Sequence, residues 1–324
     1  MHNQSNMFCK SAENRSFFSM LRSHRFPFLI FVCIGKFLGC KDPQPESFPK
    51  PNKYIALTID DGPLTHYYSY PDDELRWDTV TKLIDAVQTR HIPVTLFVIG
   101  REAEVPSMAS MLYKWASAGA ELGNHTYNHR SFNEFSGVEW LQEIQKTNQI
   151  LSPISLAFKQ RIRYFRYPFL QEGETLAREH ESNRAVRDAG LINAHVTIGT
   201  DDWTFNEKYM ALELKQDWAA RYEVGQAYMR HIHKTVAYWD SVGTALEGRS
   251  IKHVMMLHAN RINRDYLEQI IDTLKQKGYG FISLDEAYRD PIYGQEDLWA
   301  TKNGVSFLEH LKQTKLYKEH VLKR

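Results

Sequence analysis

The sequence predicts an α/β fold in which parallel strands, joined by crossover helices, curl into a (β/α) barrel over residues 53–290. From residue 54 onward, short runs of β-branched and aromatic residues alternate with longer segments of helical period. We count seven such strands, most of them followed by a helix, which is the pattern of a parallel sheet. The chain has 324 residues, enough for one barrel of ~250 residues with appendages. A distorted barrel of seven or eight strands is favoured, although a doubly wound open sheet fits the same alternation.

The individual elements follow from the position of each apolar run. The predicted strands cover residues 54–59, 94–98, 121–123, 164–166, 192–196, 253–257 and 281–283. The predicted helices cover residues 78–90, 107–118, 137–151, 175–189 and 264–277. The last helix ends in a basic turn followed by Gly278, which is a common helix stop.

Two insertions and a tail extend the predicted barrel. The insertions, residues 64–77 and the largely helical 204–250, each follow a strand. We therefore expect both to overhang the end of the barrel where the carboxyl ends of the strands lie. The tail, residues 291–324, is expected to pack on the barrel through Leu308 and Leu311 while its lysines stay in water.

The first 40 residues have the pattern of an export leader. The apolar run 26–35 follows Arg22 and Arg25 and is shorter than the ~20 apolar residues that a membrane span needs. It is predicted to be a signal peptide. Met20 directly precedes this block, so translation from Met1 or from Met20 fits the pattern.

The segment 37–40, with the sequence FLGC, resembles the lipobox of bacterial lipoproteins, in which a small residue precedes a lipidated cysteine. Phe37 stands where leucine is usual, and Lys36 interrupts the apolar run. We predict an exported protein, periplasmic or at the cell surface, that contacts the membrane only through a lipid anchor at Cys40 or a signal anchor. An ordinary secreted protein is the alternative. Residues 41–52, rich in proline and charge, are predicted to be a linker.

The composition excludes several classes of protein. Lysine plus arginine number 40 and aspartate plus glutamate 39, so the net charge of +1 provides no basic field for nucleic acid. The three cysteines, Cys9, Cys33 and Cys40, all lie in the leader. Thiolate metal sites, disulfides and cysteine nucleophiles are therefore excluded from the predicted barrel.

Two adjacent carboxylates, Asp60 and Asp61, directly follow the first strand in the sequence TIDDGP. Asp-Gly and Gly-Pro pairs also form ordinary turns, so this motif alone favours neither a turn nor a site. At a strand end, however, one carboxylate can bind a metal ion while its neighbour faces a reacting water.

Two histidines, His125 and His129, follow the third strand in the sequence HTYNH. Imidazoles four positions apart can converge on one ion if the segment coils by a turn. With 14 histidines in the chain, such a spacing also arises by chance. The position after a strand strengthens the functional interpretation, because exposed imidazoles there have no packing role.

Three more strands end in ionisable residues, Arg166, Asp202 and His258. Taken singly, these residues are more simply explained as a surface ion pair, a helix cap and a core histidine. Taken together with the two motifs above, they indicate a site, because all strand carboxyl ends of a parallel barrel open on one face.

In this order the fragments TIDDGP, HTYNH, RYPF, DDW and LH resemble the five motifs of the polysaccharide deacetylase family, also called carbohydrate esterase family 4 or the NodB homology domain. The resemblance covers residues 53–288, and the first two motifs together are highly specific. It implies a distorted (β/α) barrel that binds one divalent ion, usually Zn²⁺. It also implies a hydrolase that removes N-acetyl groups from amino sugars of a polysaccharide, such as peptidoglycan, a chitin-like chain or poly-N-acetylglucosamine.

Transferred by position, the resemblance implies three metal ligands, Asp61, His125 and His129. It implies that Asp60 is the general base and that Arg166 orients it. A carboxylate and two neutral imidazoles leave Zn²⁺ with a net positive charge and open positions, which suits hydrolysis.

The resemblance further implies that His258 is the general acid, that Asp202 holds its imidazole, and that the backbone N–H of Phe169 meets the oxyanion. The fourth motif departs from the family at Gly199, where an aspartate is common. This departure puts the support of His258 in question.

Three alternatives stay open at this point. Removal of O-acetyl groups from a xylan-type polysaccharide needs the same metal and base. A catalytically weak sugar-binding lipoprotein would keep the fold, and the departure at Gly199 leaves room for it. Two histidines and a carboxylate also bind iron(II) in oxygenases, but those sites are expected on all-β scaffolds.

Aromatic residues of the insertions are candidates for stacking on sugar rings, chiefly Trp203, Trp77 and Tyr67, with Tyr68 and Tyr70 beside them. For any single one, packing on the barrel rim explains the residue equally well. The sequence does not distinguish among the possible polymers.

Overall fold

The structure is a computed structural model that describes residues 48–65 and 69–320. Within these residues eight strands form one parallel sheet: β1 (Lys53–Gly62), β2 (Val94–Val98), β3 (Glu121–Asn124), β4 (Tyr164–Phe165), β5 (Ile192–Asn193), β6 (Ile198–Gly199), β7 (Lys252–His258) and β8 (Tyr279–Ile282). The predicted leader with its signal peptide and Cys40, most of the predicted linker, and Tyr67 lie outside the described residues.

Ten α-helices accompany the strands over the same described ranges. They are α1 (Asp73–Gln88), α2 (Gly100–Ala103), α3 (Pro106–Ser117), α4 (Gly137–Ala157), α5 (Leu176–Asp188), α6 (Asp202–Leu214), α7 (Trp218–Glu247), α8 (Arg261–Gln276), α9 (Leu284–Ala287) and α10 (Phe307–His320). None of the described helices is long and apolar enough to cross a membrane.

Strand β1 is the centre of the sheet, whose order is β5-β4-β3-β2-β1-β7-β6. β7 pairs with β1 from Tyr54 to Asp60. On its other edge, β1 pairs with β8 through residues 53–56 and with β2 from Leu57 onward. The carboxyl end of β1 is therefore flanked by the carboxyl ends of β2 and β7, which brings the loops after these strands together.

The two outermost strands, β5 and β6, share no backbone ladder in the described part of the chain, so the barrel is open between them. The C-terminal segment contacts this opening. The amide of Phe307 donates to the carbonyl of Val196 over 2.7 Å, and Ser306 Oγ donates to the carbonyl of Thr197 over 2.9 Å. The tail thus supplies hydrogen bonds at the edge that a closed barrel would satisfy with another strand.

The interior of the barrel follows the apolar pattern of the sequence. β1 is buried at every position from Ile55 to Asp60 because helices cover the sheet, which is why its apolar run is nearly continuous. Helix α8 buries one stripe at helical spacing, including Leu267, Ile270 and Leu274, against the same core.

The helical insertion and the tail are both part of this packed unit. α6 and α7 fill the predicted insertion, and α7 buries Tyr228 and Ile232 in the main core. In α10, Leu308 and Leu311 belong to one buried cluster with Ile251, which directly precedes β7, and Ile292.

The predicted fold class, a distorted barrel of seven or eight strands with a helical insertion and a C-terminal tail, is confirmed. The prediction misses β6 and extends β5 too far. The chain leaves the sheet after Asn193 and returns only for Ile198 and Gly199, which pair with β7. A strand of two residues has no period that a sequence pattern can detect.

Candidate active site

Asp60 and Asp61 end the central strand, and their side chains take different directions. Asp61 adopts a left-handed backbone conformation with φ of 57°, which is uncommon outside glycine. The Asp60 carboxylate is buried and accepts two hydrogen bonds from Arg166. The Asp61 carboxylate instead faces His125 and His129. The two adjacent carboxylates are therefore separated into two environments, as the motif suggested.

His125 and His129 converge on Asp61 through a tight turn after β3. Oδ1 of Asp61 lies 3.4 Å from Nε2 of His125 and 3.1 Å from Nε2 of His129. The turn is closed by two local bonds, since the amide of Thr126 donates to Asn124 Oδ1 and the amide of His129 donates to Thr126 Oγ1. Thr126 and His129 both have positive φ, so a turn rather than a helix brings the two imidazoles to one point.

The three side chains fit a divalent cation. Asp61, His125 and His129 each offer a ligand atom, and these atoms lie within 4.8 Å of one another. Asp61 Oδ1 is buried and has no hydrogen-bond partner. Burial raises the pKa of Asp61, but the adjacent imidazoles of His125 and His129 outweigh it and hold the pKa well below its usual range. One carboxylate and two imidazoles are a common donor set for zinc and other transition metals.

The ring of His125 is oriented by a backbone carbonyl. Its Nδ1 lies 2.8 Å from the carbonyl oxygen of Arg166, which can accept only if Nδ1 carries the proton. Nε2 is then the free acceptor that faces Asp61. Such a bond from the outer ring nitrogen is typical of metal-binding histidines.

Arg166 is buried, which excludes its interpretation as a surface ion pair. Its Nη1 lies 3.0 Å and 3.1 Å from the two oxygens of Asp60. Nε donates to the carbonyl of Ala194, Nη2 donates to Thr58 Oγ1, and the guanidinium lies 4.4 Å from the centre of the Phe97 ring. These contacts hold Arg166 in one orientation and, through it, Asp60.

Asp202 and His258 form a second buried pair. Oδ1 of Asp202 lies 2.7 Å from Nδ1 of His258, and Oδ2 accepts from the His258 amide over 2.9 Å. Burial alone would lower the pKa of His258, but the charge and hydrogen bond of Asp202 override it and raise the pKa to about 10. Asp202 thus favours the protonated form of the His258 imidazole. The Asp202 side chain does not cap α6.

Asn260 and Asn263, which the sequence analysis does not single out, complete the support of this pair. Both donate to Oδ2 of Asp202, over 2.9 Å and 2.5 Å. Asn263 in turn accepts from the hydroxyl of Tyr228 in α7. The only sequence signal is the asparagine directly before α8, which is typical of an ordinary helix cap.

The departure at Gly199 leaves this support intact. A Cβ atom at residue 199 would meet no atom within 4 Å, and Gly199 itself lines the cavity described below. Because Asp202 already has its donors, the imidazole of His258 is held without an aspartate at position 199.

One cavity of about 1110 Å³ opens at the carboxyl ends of the strands. Five of the predicted site residues line it: Asp60, Asp61, His125, His129 and His258. Arg166 and Asp202 lie behind its wall. Phe169 also lines the cavity, has φ of 57°, and its ring centre lies 4.7 Å from that of His129.

The predicted sugar-stacking residues have different positions. Trp203 lines the cavity and is half-exposed. Trp77 is not among the residues that line it. It lies in α1, packs on the main core, and has Lys114 Nζ 5.8 Å from its ring. The insertion 64–77 is shorter than predicted because α1 begins at Asp73.

Other parts of the wall come from the helical insertion, which is expected to overhang this end of the barrel, and from the C-terminal segment, which the sequence analysis does not connect with the site. α7 contributes Tyr238 and Trp239, and the C-terminal segment contributes Gly304 and Glu309. A Cβ at Gly304 would lie 1.6 Å from the carbonyl oxygen of Phe169, so the tail contacts the cavity rim closely.

The model of the polysaccharide deacetylase family matches residues 48–189. Residues 48–189 of this chain are thus similar to a polysaccharide deacetylase domain. The chain is 23% identical over 235 residues to a peptidoglycan-N-acetylglucosamine deacetylase of Bacillus cereus, a match that spans 72% of this chain and 68% of the relative. A peptidoglycan-N-acetylglucosamine deacetylase of Listeria monocytogenes is 22% identical over 243 residues, which cover 75% of this chain and 40% of that longer protein.

Solved deacetylase-family structures share the fold. A family 4 carbohydrate esterase pseudoenzyme from Bacillus anthracis superimposes with a TM-score of 0.51 at 18% identity, covering 76% of this chain and 69% of the other. A peptidoglycan N-acetylglucosamine deacetylase bound to a hydroxamate-type benzamide superimposes with a TM-score of 0.50 at 22% identity, covering 75% and 91%. At these identities the similarity establishes the polysaccharide deacetylase fold alone.

Proposed function

We propose that this polysaccharide deacetylase domain is a metal-dependent hydrolase that removes N-acetyl groups from amino sugars of an extracellular polysaccharide. The observation that carries the proposal is the convergence of three groups on one cavity. These are the cluster Asp61–His125–His129, the pair Asp60–Arg166 and the pair Asp202–His258. Together they supply a metal site, a carboxylate and a protonated imidazole, which amide hydrolysis requires.

Asp61, His125 and His129 would hold the divalent ion, which we propose is Zn²⁺. When bound, such an ion supplies Lewis acidity toward a carbonyl oxygen and lowers the pKa of water. His125 is prepared for this role by its bond to the Arg166 carbonyl, which keeps Nε2 available as a ligand.

Asp60 would be the general base. Its carboxylate lines the cavity, and Arg166 holds both of its oxygens, so it faces the reacting water with a fixed orientation. A carboxylate in this position takes a proton as the water attacks the acetyl carbonyl. Arg166 is a positioning residue in this scheme, because it lies behind the cavity wall.

His258 would be the general acid. An amine leaves poorly as an anion, so the nitrogen must gain a proton as the C–N bond breaks. Because the pKa of His258 is raised to about 10, its imidazole carries that proton at neutral pH. The backbone N–H of Phe169, on the cavity wall, is our candidate for the oxyanion donor, since Pro168 has none.

A polymeric sugar is the proposed substrate because the cavity is open and has aromatic walls. Trp203, Tyr238 and Trp239 line it beside the charged centre, and aromatic faces stack well on sugar rings. The named functions of the Bacillus and Listeria relatives favour peptidoglycan among the possible polymers. An exported protein with a lipid anchor at Cys40 would meet that polymer.

The decisive experiment measures acetate release from N-acetylated and O-acetylated saccharides by the purified protein, with chelator and with added Zn²⁺. We expect release from N-acetylglucosamine polymers that chelator abolishes and Zn²⁺ restores. Preference for acetylated xylan would favour an O-acetyl esterase, and binding of the polymer without release would favour a weak sugar-binding protein.

A matched pair of variants tests the role of the base. Asp60→Asn keeps the shape of the side chain and should reduce acetate release to background, whereas Asp85→Asn, an exposed change in α1, should leave it unchanged. Near-normal release by Asp60→Asn would show that Asp60 is not the base.

A further inference from the structure

A second cluster of metal-binding side chains lies outside the catalytic cavity. Glu179 in α5, Asp297 in the segment before α10, and His310 in α10 each offer a ligand atom, and these atoms lie within 4.8 Å of one another. The donor types, carboxylate and imidazole, are the same as those of the catalytic cluster. This cluster has no part in the chemistry proposed above.

The Glu179 carboxylate indicates that the cluster lacks a ligand. Glu179 is 4% exposed, and its Oε2 is buried with no hydrogen-bond partner. A buried carboxylate oxygen without a donor is costly, and such groups are rare in folded proteins unless an ion, a water or a proton satisfies them. A partner for this oxygen would fit in the space that Glu179 shares with Asp297 and His310, whose ligand atoms lie within 4.8 Å of one another.

The charges around Glu179 favour a cation as this partner. Burial, followed by the charges of Glu172 and Asp297, raises the pKa of Glu179 to about 8. Glu172 is already paired with His195, whose Nδ1 lies 3.3 Å from Oε1 of Glu172. A divalent ion would offset the repulsion between the carboxylates, whereas a single proton on Glu179 is the simplest alternative.

The other two ligands are already oriented. Oδ1 of Asp297 accepts from the amide of Trp299 and from Thr314 Oγ1, which leaves Oδ2 to face His310. Nδ1 of His310 lies 3.0 Å from the carbonyl oxygen of Trp299 and 2.7 Å from Oδ2 of Asp297. Nδ1 is therefore the ring nitrogen of His310 that faces the cluster, and an ion bound there would replace the proton that it shares with Oδ2 of Asp297.

We propose that Glu179, Asp297 and His310 form a structural Zn²⁺ site that fastens the C-terminal segment to the barrel. Two carboxylates and an imidazole suit Zn²⁺, with its fourth position open to water or a backbone oxygen. The segment between Asp297 and His310 includes Gly304 and Glu309, which line the catalytic cavity. The ion therefore holds one wall of the active site without contacting the reaction. The inference does not depend on the proposed deacetylase activity.

The test counts zinc in the full chain after loading with Zn²⁺ and removal of free metal by gel filtration. We expect two ions per chain in the wild type and one in Glu179→Gln. The matched control, Glu181→Gln, changes a more exposed glutamate on the same helix and should keep both.

A third variant keeps the test decisive even if Glu179→Gln fails to fold. The double variant His125→Ala/His129→Ala leaves the second cluster untouched, so it should retain one ion and gain thermal stability on addition of Zn²⁺. If it retains none and its melting temperature does not respond to Zn²⁺, the cluster holds only a proton and the proposal is overturned. The same follows if folded Glu179→Gln binds as many ions as the wild type.

Discussion

Strand β7 carries a histidine near each end, and the two histidines face aspartates of helices α6 and α7. At the carboxyl end, Nδ1 of His258 lies 2.7 Å from Oδ1 of Asp202 in α6. Near the amino end, Nε2 of His253 lies 3.5 Å from Oδ1 of Asp240 in α7. The two pairs use the same chemistry on the same strand, but only the first belongs to the candidate active site.

The two pairs differ in whether the histidine is accessible from the cavity. His258 lines the cavity, so the ring nitrogen that Asp202 does not contact can meet a substrate. His253 is fully buried, and its Nδ1 lies 3.1 Å from Thr197 Oγ1. Asp240 bonds to Lys53 over 2.5 Å. A buried aspartate–histidine pair therefore indicates a catalytic role only where one of its members lines a cavity. A pair that is enclosed on all sides is expected to stabilise the fold instead.

The largest difference between the two ends should appear when a metal ligand is removed. We expect His125→Ala to lose the ion bound at the carboxyl-end cluster and to reduce acetate release to background, because Asp61 and His129 alone leave the ion under-coordinated. His253→Ala, at the other end of the barrel, should keep that ion in the fraction that folds. Elemental analysis and acetate release measure both. Stoichiometric metal and normal turnover in His125→Ala would contradict the ligand assignment.

The next largest effect is the difference in kcat between substitutions of the two histidines of β7. We expect His258→Gln to lower kcat on an N-acetylated saccharide by about 10²–10⁴-fold, the usual contribution of a general acid, with little change in melting temperature. His253→Gln should lower the melting temperature and leave kcat per folded molecule close to that of the wild type. An equal loss of kcat in the two variants would contradict the assignment of a catalytic role to His258 and a structural role to His253.

The Asp240–His253 pair, near the amino end of β7, should instead affect how the free energy of unfolding depends on pH in the acidic range. The facing imidazole of His253 outweighs the effect of burial and, with the salt bridge to Lys53, lowers the pKa of Asp240 from 3.8 to about 2. A lowered carboxyl pKa stabilises the fold above the unfolded value, and this stabilisation is lost as the pH falls from 3.8 through 2. It amounts to about 2 kcal/mol.

Asp240→Asn should therefore show a shallower loss of unfolding free energy between about pH 5 and pH 2.5, a range that covers most of the interval over which the stabilisation is lost. Chemical denaturation in the presence of a chelator removes the effect of metal release. The exposed change Asp85→Asn should reproduce the wild-type slope. An Asp240→Asn curve parallel to the wild type would mean that the pair at this end contributes no stability.

The same contrast explains how much of the site could be predicted from the sequence. Asp60, His125 and His258 could be grouped because parallel strands place their carboxyl ends on one face, and the structure brings all three to one cavity. Asn260 and Asn263 could not be found, since an asparagine at a helix start is equally typical of a simple cap. Only the fold shows that both donate to Asp202.

The C-terminal segment could not be connected with the site for a different reason. Its contacts with residues 196–197 and with Phe169 join parts of the chain more than 100 residues apart. The periodicity of apolar residues along the sequence does not indicate such long-range contacts. They arise because β6 is too short to close the barrel, and the sequence pattern did not reveal that strand.

The smallest expected effect separates two tryptophans that the sequence could not distinguish. Trp203 lines the cavity and is half-exposed, whereas Trp77 packs on the core. We expect Trp203→Ala to raise KM for a polymeric substrate by an amount that corresponds to about 1 kcal/mol, as one aromatic contact contributes, with kcat nearly unchanged. Trp77→Ala should lower the melting temperature and leave KM unchanged. If Trp77→Ala raised KM as much as Trp203→Ala, the substrate would extend over α1, and the cavity between the helical insertion and the tail would be only part of the binding surface.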